Sequence, residues 1–463
     1  MHLAILQPVA GDRARRTPYR DEVALLGAVL ARQRYRVTLT IVDTFDERAL
    51  AAVLGDVHPA LFLVYVDSLA ADLAFRVAGA LASIRGAPLV PFGPHAALCP
   101  DECLSMTGAE AVAVAPADRA IPAYVAARRD GLDSPRTLGL WVKCETGVMR
   151  NPPPPPPASL QDQPVPAREM YTGEQVVDPA GFVEVHAARG GEGGRTPGAE
   201  PPAPGAWPGA APWPVLHRPV DAVIQEMRQA AETQIDTGGF RIGNERWASS
   251  PSWLAAFADR YIRQVGLPIR TTLYAPDVTG EAAALLARTR CEEVTVPIGS
   301  ATALIRNDIL GLNLTTEAAE AALAALRRAG IRSVARVEIG APYETAASLE
   351  HTVHFLRRLD PDRVDAVLHY PIPGTHAHKV AQENGWLVPD AAAAHLAGKP
   401  AVVLPAISTD DVITACESLP YAVHRPRIVP LIRLGRRVRI GRHGTLYDLV
   451  VKPFLAPPMR RAK

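Results

Sequence analysis

"SVARVEIGAPYETAASLEHTVHFLRRLDPDRVDAVLHYPIPGT", residues 333–375, decides the fold. The apolar run SVARVEIG is followed by a helical pattern over 345–359, and a second apolar run, VDAVLHYPIPG, comes straight after it. A strand, a crossover helix and a strand in this order predict a right-handed unit with its two strands parallel. Reading back toward the N-terminus, the same beat repeats. GFVEVHAAR, a helix from about Pro219 to Gln234, FRIGNERW, a helix over 251–265, LPIRTTLY, a helix over 279–289, EEVTVPIG and a helix over 315–329 precede the quoted stretch. Six strand–helix units predict a partial (β/α)6 barrel or a second open sheet over 181–386, with the chemistry at the C-terminal ends of the strands.

Residues 1–130 show a related pattern. HLAILQP, RVTLTIVD, ALFLVYVD, PLVPFG and AVAVAP are continuous apolar runs separated by helical segments. Strands buried on both faces read this way, so a five-stranded doubly wound α/β domain is expected. Its ligand-facing loops start at Pro8, Asp67, Gly93 and Pro116, beyond the carboxyl ends of the strands. Between the two halves, 131–180 carries six consecutive prolines and reads as an extended spacer. The tail, 387–463, reads as a small C-terminal extension ending in the β-like RRVRIGRHGTLYDLVVKPFL.

Composition narrows the class. The chain has 463 residues, and its 49 Lys plus Arg nearly balance 48 Asp plus Glu, so no global field recruits nucleic acid or an anionic membrane. The locally basic RLGRRVRIGRH, 433–443, reads as a solvated strand edge. Five scattered cysteines argue against a disulfide framework and for a reducing, cytoplasmic setting. The N-terminal apolar run is too short for a signal peptide, and no span of eighteen uncharged apolar residues occurs.

Taken together, these segments resemble the cobalamin-binding radical S-adenosylmethionine (SAM) family, in which a cobalamin-binding domain precedes a radical SAM barrel. The likeness rests on PFGPHAALCPDECLSMTGAEAVAVAP (91–116), SLQDQPVPAREMY (159–171) and RCEEVTVPIGSAT (290–302). It rests most specifically on EIGAPYETAASLEHTVHFLRRL (338–359) and YPIPGTHAHKVAQENGW (370–386). It covers the chain to about Trp386.

The resemblance implies a Cys-x-x-x-Cys-x-x-Cys loop after the first barrel strand, holding a four-iron cluster that binds SAM. Here FVEVHAAR is followed by GGEGGRTPG (190–198), which has neither thiol nor imidazole. On this resemblance the chain reads as a divergent member with a deleted cluster motif. Cys99, Cys103 and Met106 have similar spacing but lie in the first domain, where the two cysteines read as buried structural residues; Cys144 or Cys291 could fold in from a distance, but Cys291 starts a strand and reads as core. The fourth-strand glutamate expected in the SAM pocket is also missing, since PIGSAT (297–302) stands in its place. Asn244, Glu245 and Ser300 are left as the residues able to meet a SAM-like ligand, with Glu245 equally suited to pair with an arginine on the barrel rim.

For cobalamin the resemblance implies contacts from Asp67, Ser68, Gly93, Pro94, His95 and Pro116. The retained FGPHA and VDSLA loops argue for the cofactor, and APADRA (115–120) in place of an acidic glycine loop argues against it. The first loop, PVAGDRARRTP, offers no histidine to the cobalt's lower face. The glycines with Arg189 and Arg195 form a candidate anion nest, although a lid or filler fits the pattern better. Trp207 and Trp213 are candidates to fill the cluster's volume.

Three readings stay open. The first is a cobalamin-binding, cluster-less protein of radical SAM fold, either moving methyl groups without radicals or serving as the partner of an active paralogue. The second is an active radical SAM methyltransferase or rearrangement enzyme with an unconventional cluster site. The third is a structural or regulatory protein without cofactors.

Overall fold

The computed structural model describes residues 1–11, 17–55, 58–86, 88–132, 136–191, 213–234, 237–430 and 432. The remainder of GGEGGRTPG beyond Gly191, Trp207, the basic 433–443 stretch and the β-like tail lie outside the described residues. Two compact units emerge. The first comprises Met1–Glu192 with Pro201–Gly243, and the second comprises Asn244–Lys463 with Gly193–Glu200.

The first unit opens with β1 (His2–Pro8), α1 (Asp21–Arg32), β2 (Arg36–Val42), α2 (Glu47–Leu54), β3 (Leu61–Tyr65), α3 (Ala71–Arg85) and β4 (Leu89–Phe92). The four strands are parallel in the order β2-β1-β3-β4. Leu3, Ile5, Leu6, Leu61, Phe62, Leu63 and Val64 are fully buried, which is why these runs show no polar alternation. Strand order reverses between β1 and β3, so the crevice at their C-terminal ends is the switch point of the sheet.

The expected fifth strand behaves differently. After α4 (Pro94–Leu98) and α5 (Pro100–Leu104), β5 (Ala111–Ala113) follows. Its lead-in touches β4 by a single bridge, Leu89 to Ala109, while β5 itself joins an antiparallel sheet β5-β6-β7. α6 (Ala117–Arg129) separates it from β6 (Leu140–Cys144) and β7 (Gly147–Arg150), a hairpin that offers β5 a complete partner. Three residues make too short a ladder for the sheet edge, and the hairpin satisfies it instead.

The stretch expected to be a spacer is therefore structured in part, and its proline run is pinned. Gly139 N–H donates to Pro152 O at 2.8 Å, Ala167 N–H to Ala24 O at 3.0 Å, and Arg32 to Asp162 O at 3.1 Å. Tyr171 Oη donates to the fully buried Gln7 at 2.6 Å. The strap ends in α7 (Gly173–Val176), whose Gln175 carbonyl accepts from Tyr19 N–H at 3.1 Å.

β8 (Phe182–His186), the short β9 (Ala188–Arg189) and β10 (Leu216–His217), α8 (Val220–Thr233) and β11 (Gly239–Gly243) complete the first unit, with β11 parallel to β8. The second unit continues the alternation. Its elements are α9 (Pro251–Gln264), β12 (Ile269–Thr272), α10 (Gly280–Arg288), β13 (Cys291–Gly299), α11 (Thr316–Arg328), β14 (Arg332–Ile339), α12 (Ala346–Leu359) and β15 (Arg363–Leu368). β12 to β15 are parallel and lie in chain order. Thr279, Thr315 and Thr345 accept from the first turns of α10, α11 and α12, so each crossover helix starts at a fixed cap. α13 (His376–Glu383), α14 (Ala391–Leu396) and α15 (Thr409–His424) follow, and α15 packs on β15 and α12. Among the described residues, no helix is long and apolar enough to cross a membrane.

Candidate functional site

The C-terminal end of β8, where the cluster loop is expected, is built by a buried ionic network within the first unit. Glu226 of α8 is 1 % exposed and bridges two guanidiniums, Arg168 and Arg218, at 2.5 Å each. Those arginines also donate to backbone at this strand end, Arg168 to Glu184 O at 2.7 Å and Arg218 to His186 O at 2.9 Å. Burial pushes the Glu226 carboxyl up, but the two arginines outweigh it and hold its pKa below the ordinary value. The anion is thereby fixed where β8 ends.

His186 meets Glu184 at 2.6 Å. Burial alone lowers its pKa, yet Asp21, the hydrogen bond to Glu184 and the charge of Glu226 raise it to about 9. Gly243 of β11 has to be a glycine here, because a Cβ would stand 2.5 Å from His186 Nε2.

Arg189 follows. It is 6 % exposed and donates two hydrogen bonds of 2.8 Å to the carboxylate of Asp118, at the start of α6. Gly190 then lies so close to the chain returning at 213–214 that a Cβ would sit 2.4 Å from Pro214 O and 3.0 Å from Trp213 Cβ. Trp213 is 2 % exposed, with the Arg119 guanidinium 5.3 Å from its ring. Beside Asp118, Glu22 is pushed up to about 7, by burial first and by Asp118 second. Arg189 is thus an internal ion-pair partner in the described part of the loop. Its donors are spent on Asp118, and Gly191 N–H is spent on Trp213 O at 2.9 Å.

The residues expected to meet cobalamin lie at the C-terminal ends of β3, β4 and β5. Asp67 accepts from Leu69 N–H at 2.8 Å and shapes the turn after β3. Gly93 has φ +101°, and a Cβ there would stand 2.9 Å from the Tyr65 ring and 3.1 Å from Val66 O. Its lack of a side chain is required by Tyr65 and the Val66 backbone. His95 is 2 % exposed, with ring Nδ1 3.1 Å from Ser68 Oγ and its backbone N–H donated to Val66 O at 3.0 Å. It faces the interior of α4–α5. Pro94 starts α4 and Pro116 precedes α6, so both are helix-entry residues.

In the second unit, Asn244 and Glu245 stand at its beginning. Asn244 has φ +69° and accepts from Arg246 N–H at 2.9 Å, which turns the chain and directs Glu245 inward. Glu245 is 9 % exposed, its Oε1 has no hydrogen-bond partner, and burial raises its pKa to about 7 against the pull of Arg336. Arg336 pairs at 2.9 Å with Asp365, and Glu245 is a buried acid that titrates near neutrality rather than a rim ion pair. Ser300 is 1 % exposed, accepts from Thr302 N–H at 3.2 Å and bonds the local turn.

Sequence reasoning missed the residues around Glu245. By register, Arg336 faces Asp365 and Glu338 faces Val367, so Arg336, Glu338 and Asp365 share one face of the sheet. Glu338 also contacts His369 at the end of β15, and both are buried. The signal was present in ARVEI, where every second residue is charged, and in Asp365 and His369 of VDAVLH. An uncommitted acid that titrates near neutrality, a guanidinium–carboxylate pair and a His–Glu pair can together orient a polar ligand and exchange protons with it.

Comparisons with known proteins follow this geometry. No family model and no curated protein matches the chain. Solved structures do match. The radical S-adenosylmethionine methyltransferase TsrM from Kitasatospora setae, with cobalamin and a [4Fe-4S] cluster bound, is 17% identical with a TM-score of 0.64, over 84% of this chain and 79% of that one. The cobalamin-dependent S-adenosylmethionine radical enzyme OxsB, with aqua-cobalamin and S-adenosylmethionine bound, is 12% identical with a TM-score of 0.64, over 83% and 55%. Its apo form aligns with 98% of this chain and 74% of its own, at 11% identity and a TM-score of 0.66. The chain has the fold of the cobalamin-dependent radical SAM enzymes: a doubly wound α/β domain followed by a radical-SAM-type (β/α)6 barrel.

Proposed function

We propose that this chain is a corrinoid-binding protein of radical SAM fold that works without the iron–sulfur cluster, either in non-radical methyl transfer or beside an active paralogue. The observation that carries it is the end of β8. The sequence there supplies alanine, arginine and glycine in place of soft ligands, and Arg189 is clamped to Asp118 while Gly190 packs on Trp213 and Pro214. These residues do not fit a four-iron cluster, and no step is derived through one.

Corrinoid binding rests on the switch point of the first sheet, the position at which open α/β sheets receive ligands. The Val66–Leu69 and Gly93–Pro94 turns and the start of α6 would hold it, supplying backbone and small side chains. Bound there, a corrinoid supplies a transferable methyl group. His95 Nδ1 lies 3.1 Å from Ser68 Oγ of the Val66–Leu69 turn, and the first loop, PVAGDRARRTP, offers no histidine to the cobalt's lower face.

The test is anaerobic purification from cells supplied with cobalamin, followed by a visible spectrum and counts of iron and cobalt. The expected result is about one cobalt per chain, a base-off corrinoid spectrum and no stoichiometric iron. Roughly four irons and four sulfides per chain would overturn the cluster-less reading. A colourless chain that takes up no corrinoid on reconstitution would overturn the corrinoid reading and favour a structural or regulatory role.

A further inference from the structure

We propose that His95, Cys99 and Glu102 form a divalent-metal site, with zinc the metal their donor set selects. One nitrogen, one sulfur and one oxygen converge, each able to supply a single ligand atom, and all three atoms lie within 4.8 Å of one another. The spacing accounts for the convergence. Positions i, i+4 and i+7 fall on one helical face, and the chain runs through α4 and α5 with one non-helical residue, Cys99, at φ −129° and ψ 58° between them.

The second observation is the imidazole itself. His95 is 2 % exposed and its Nδ1 is held by Ser68 Oγ at 3.1 Å. That contact leaves Nε2 aimed at Glu102 Oε2, 3.3 Å away, and Nε2 is buried with no hydrogen-bond partner. A buried ring nitrogen without a hydrogen bond is costly, and a metal would satisfy it. Ser68 then stands in the supporting position that orients metal-bound histidines.

Distances and donor type set the metal. Bonds of about 2.0–2.3 Å in a tetrahedron separate nitrogen, oxygen and sulfur donors by about 3.3–3.8 Å. The His95–Glu102 separation is already 3.3 Å, so the thiol side needs to close by at most about 1.5 Å. A mixed nitrogen, sulfur and carboxylate set favours zinc over magnesium or calcium, which take oxygen. Cys99 is half-buried and the Glu102 side chain is 52% exposed, so solvent reaches the remaining position. Such a site would staple the turn after β4.

The experiment uses the full chain, stripped with a chelator and titrated with zinc against a chromophoric competitor. Cobalt(II) is added in parallel to read a thiolate-to-metal absorption band. The wild type should bind about one zinc per chain and gain thermal stability on loading. Cys99→Ala should weaken binding at least about 100-fold and abolish the cobalt–thiolate band, and Ser68→Ala should weaken it about 10-fold. No saturable binding by the wild type, or zinc bound as tightly by Cys99→Ala and Glu102→Gln, would overturn the site. Iron and corrinoid content do not enter this readout, so its outcome is separate from that of the proposed function.

Discussion

Arg189 and Asp118 are joined by two hydrogen bonds of 2.8 Å, and both side chains are over nine-tenths buried. The pair ties the chain just beyond β8 to the start of α6. A buried pair of this kind is costly to break on one side only, because the partner remains charged and desolvated. Asp118→Ala should therefore destabilise the protein by about 3–5 kcal/mol in chemical denaturation. The double change Arg189→Met/Asp118→Leu should recover most of that loss. Equal losses in the single and double variants would show that the residues matter through something other than their pairing.

The titration of the buried acids predicts the pH profile of stability. Burial raises Glu22 and Glu245 to about 7 and Glu344 to about 8. A folded pKa above the unfolded value favours the protonated fold, so this stability is complete below about pH 4.5 and is lost as pH rises through 7 to 8. His186, raised to about 9, acts in the same direction between about pH 6.5 and 9. Glu226, held below its ordinary value, acts oppositely and loses its contribution on acidification below about pH 4.5. The melting temperature should peak in mildly acidic buffer and fall toward pH 9, and Glu245→Gln should flatten the fall between pH 5 and 8. A melting temperature that rises steadily across that range would refute the assignment.

Gly93 illustrates how a motif can be recognised before its reason is known. Its left-handed φ of +101° and the 2.9 Å approach to the Tyr65 ring both demand glycine, with or without a ligand. Gly93→Leu should lower the melting temperature of the cofactor-free chain by several degrees, as expected for a loss of about 1–3 kcal/mol. An unchanged melting temperature would show that the tight contact with Tyr65 relaxes freely.

The same lesson applies more widely. The alternation of apolar runs and helical patterns was legible because parallel strands buried on both faces are predominantly apolar. The motifs supporting the resemblance were legible because they set backbone turns. Gly340, at φ +88°, donates to Glu344 at 2.5 Å, and Thr345 and Thr375 cap α12 and α13. The site was less legible, because its members are far apart in sequence. Glu226 finds Arg168 and Arg218, and Glu245 finds Arg336, only through the fold. The His95, Cys99 and Glu102 grouping is local, but Cys103 drew attention from it. Cys103 is fully buried, while Glu102, one residue earlier, carries the ligand oxygen. The departure of β5 from the parallel sheet was hidden because the competing hairpin lies beyond α6 in a stretch whose prolines suggested a spacer.

The strap 151–178 yields the last prediction. Gln7 sits fully buried at the end of β1, where its Nε2 donates to Pro18 O at 2.5 Å and its Oε1 accepts from Tyr171 Oη at 2.6 Å. Tyr171 also lies 5.2 Å from the ring of Tyr19, which is 2 % exposed. A fragment ending at residue 150 loses the hydroxyl and the ring together, leaving a buried amide oxygen unsatisfied and Tyr19 open to water. An orphaned buried polar group alone costs about 1–3 kcal/mol, and the lost aromatic burial adds to it. Residues 1–150 should therefore melt less cooperatively and at a lower temperature than residues 1–178. In the full chain, Tyr171→Phe, which keeps the ring and removes only the hydroxyl, should cost about 1–3 kcal/mol in denaturant titration. Identical transitions for the two fragments, together with a neutral Tyr171→Phe, would show that the first domain is complete without its strap.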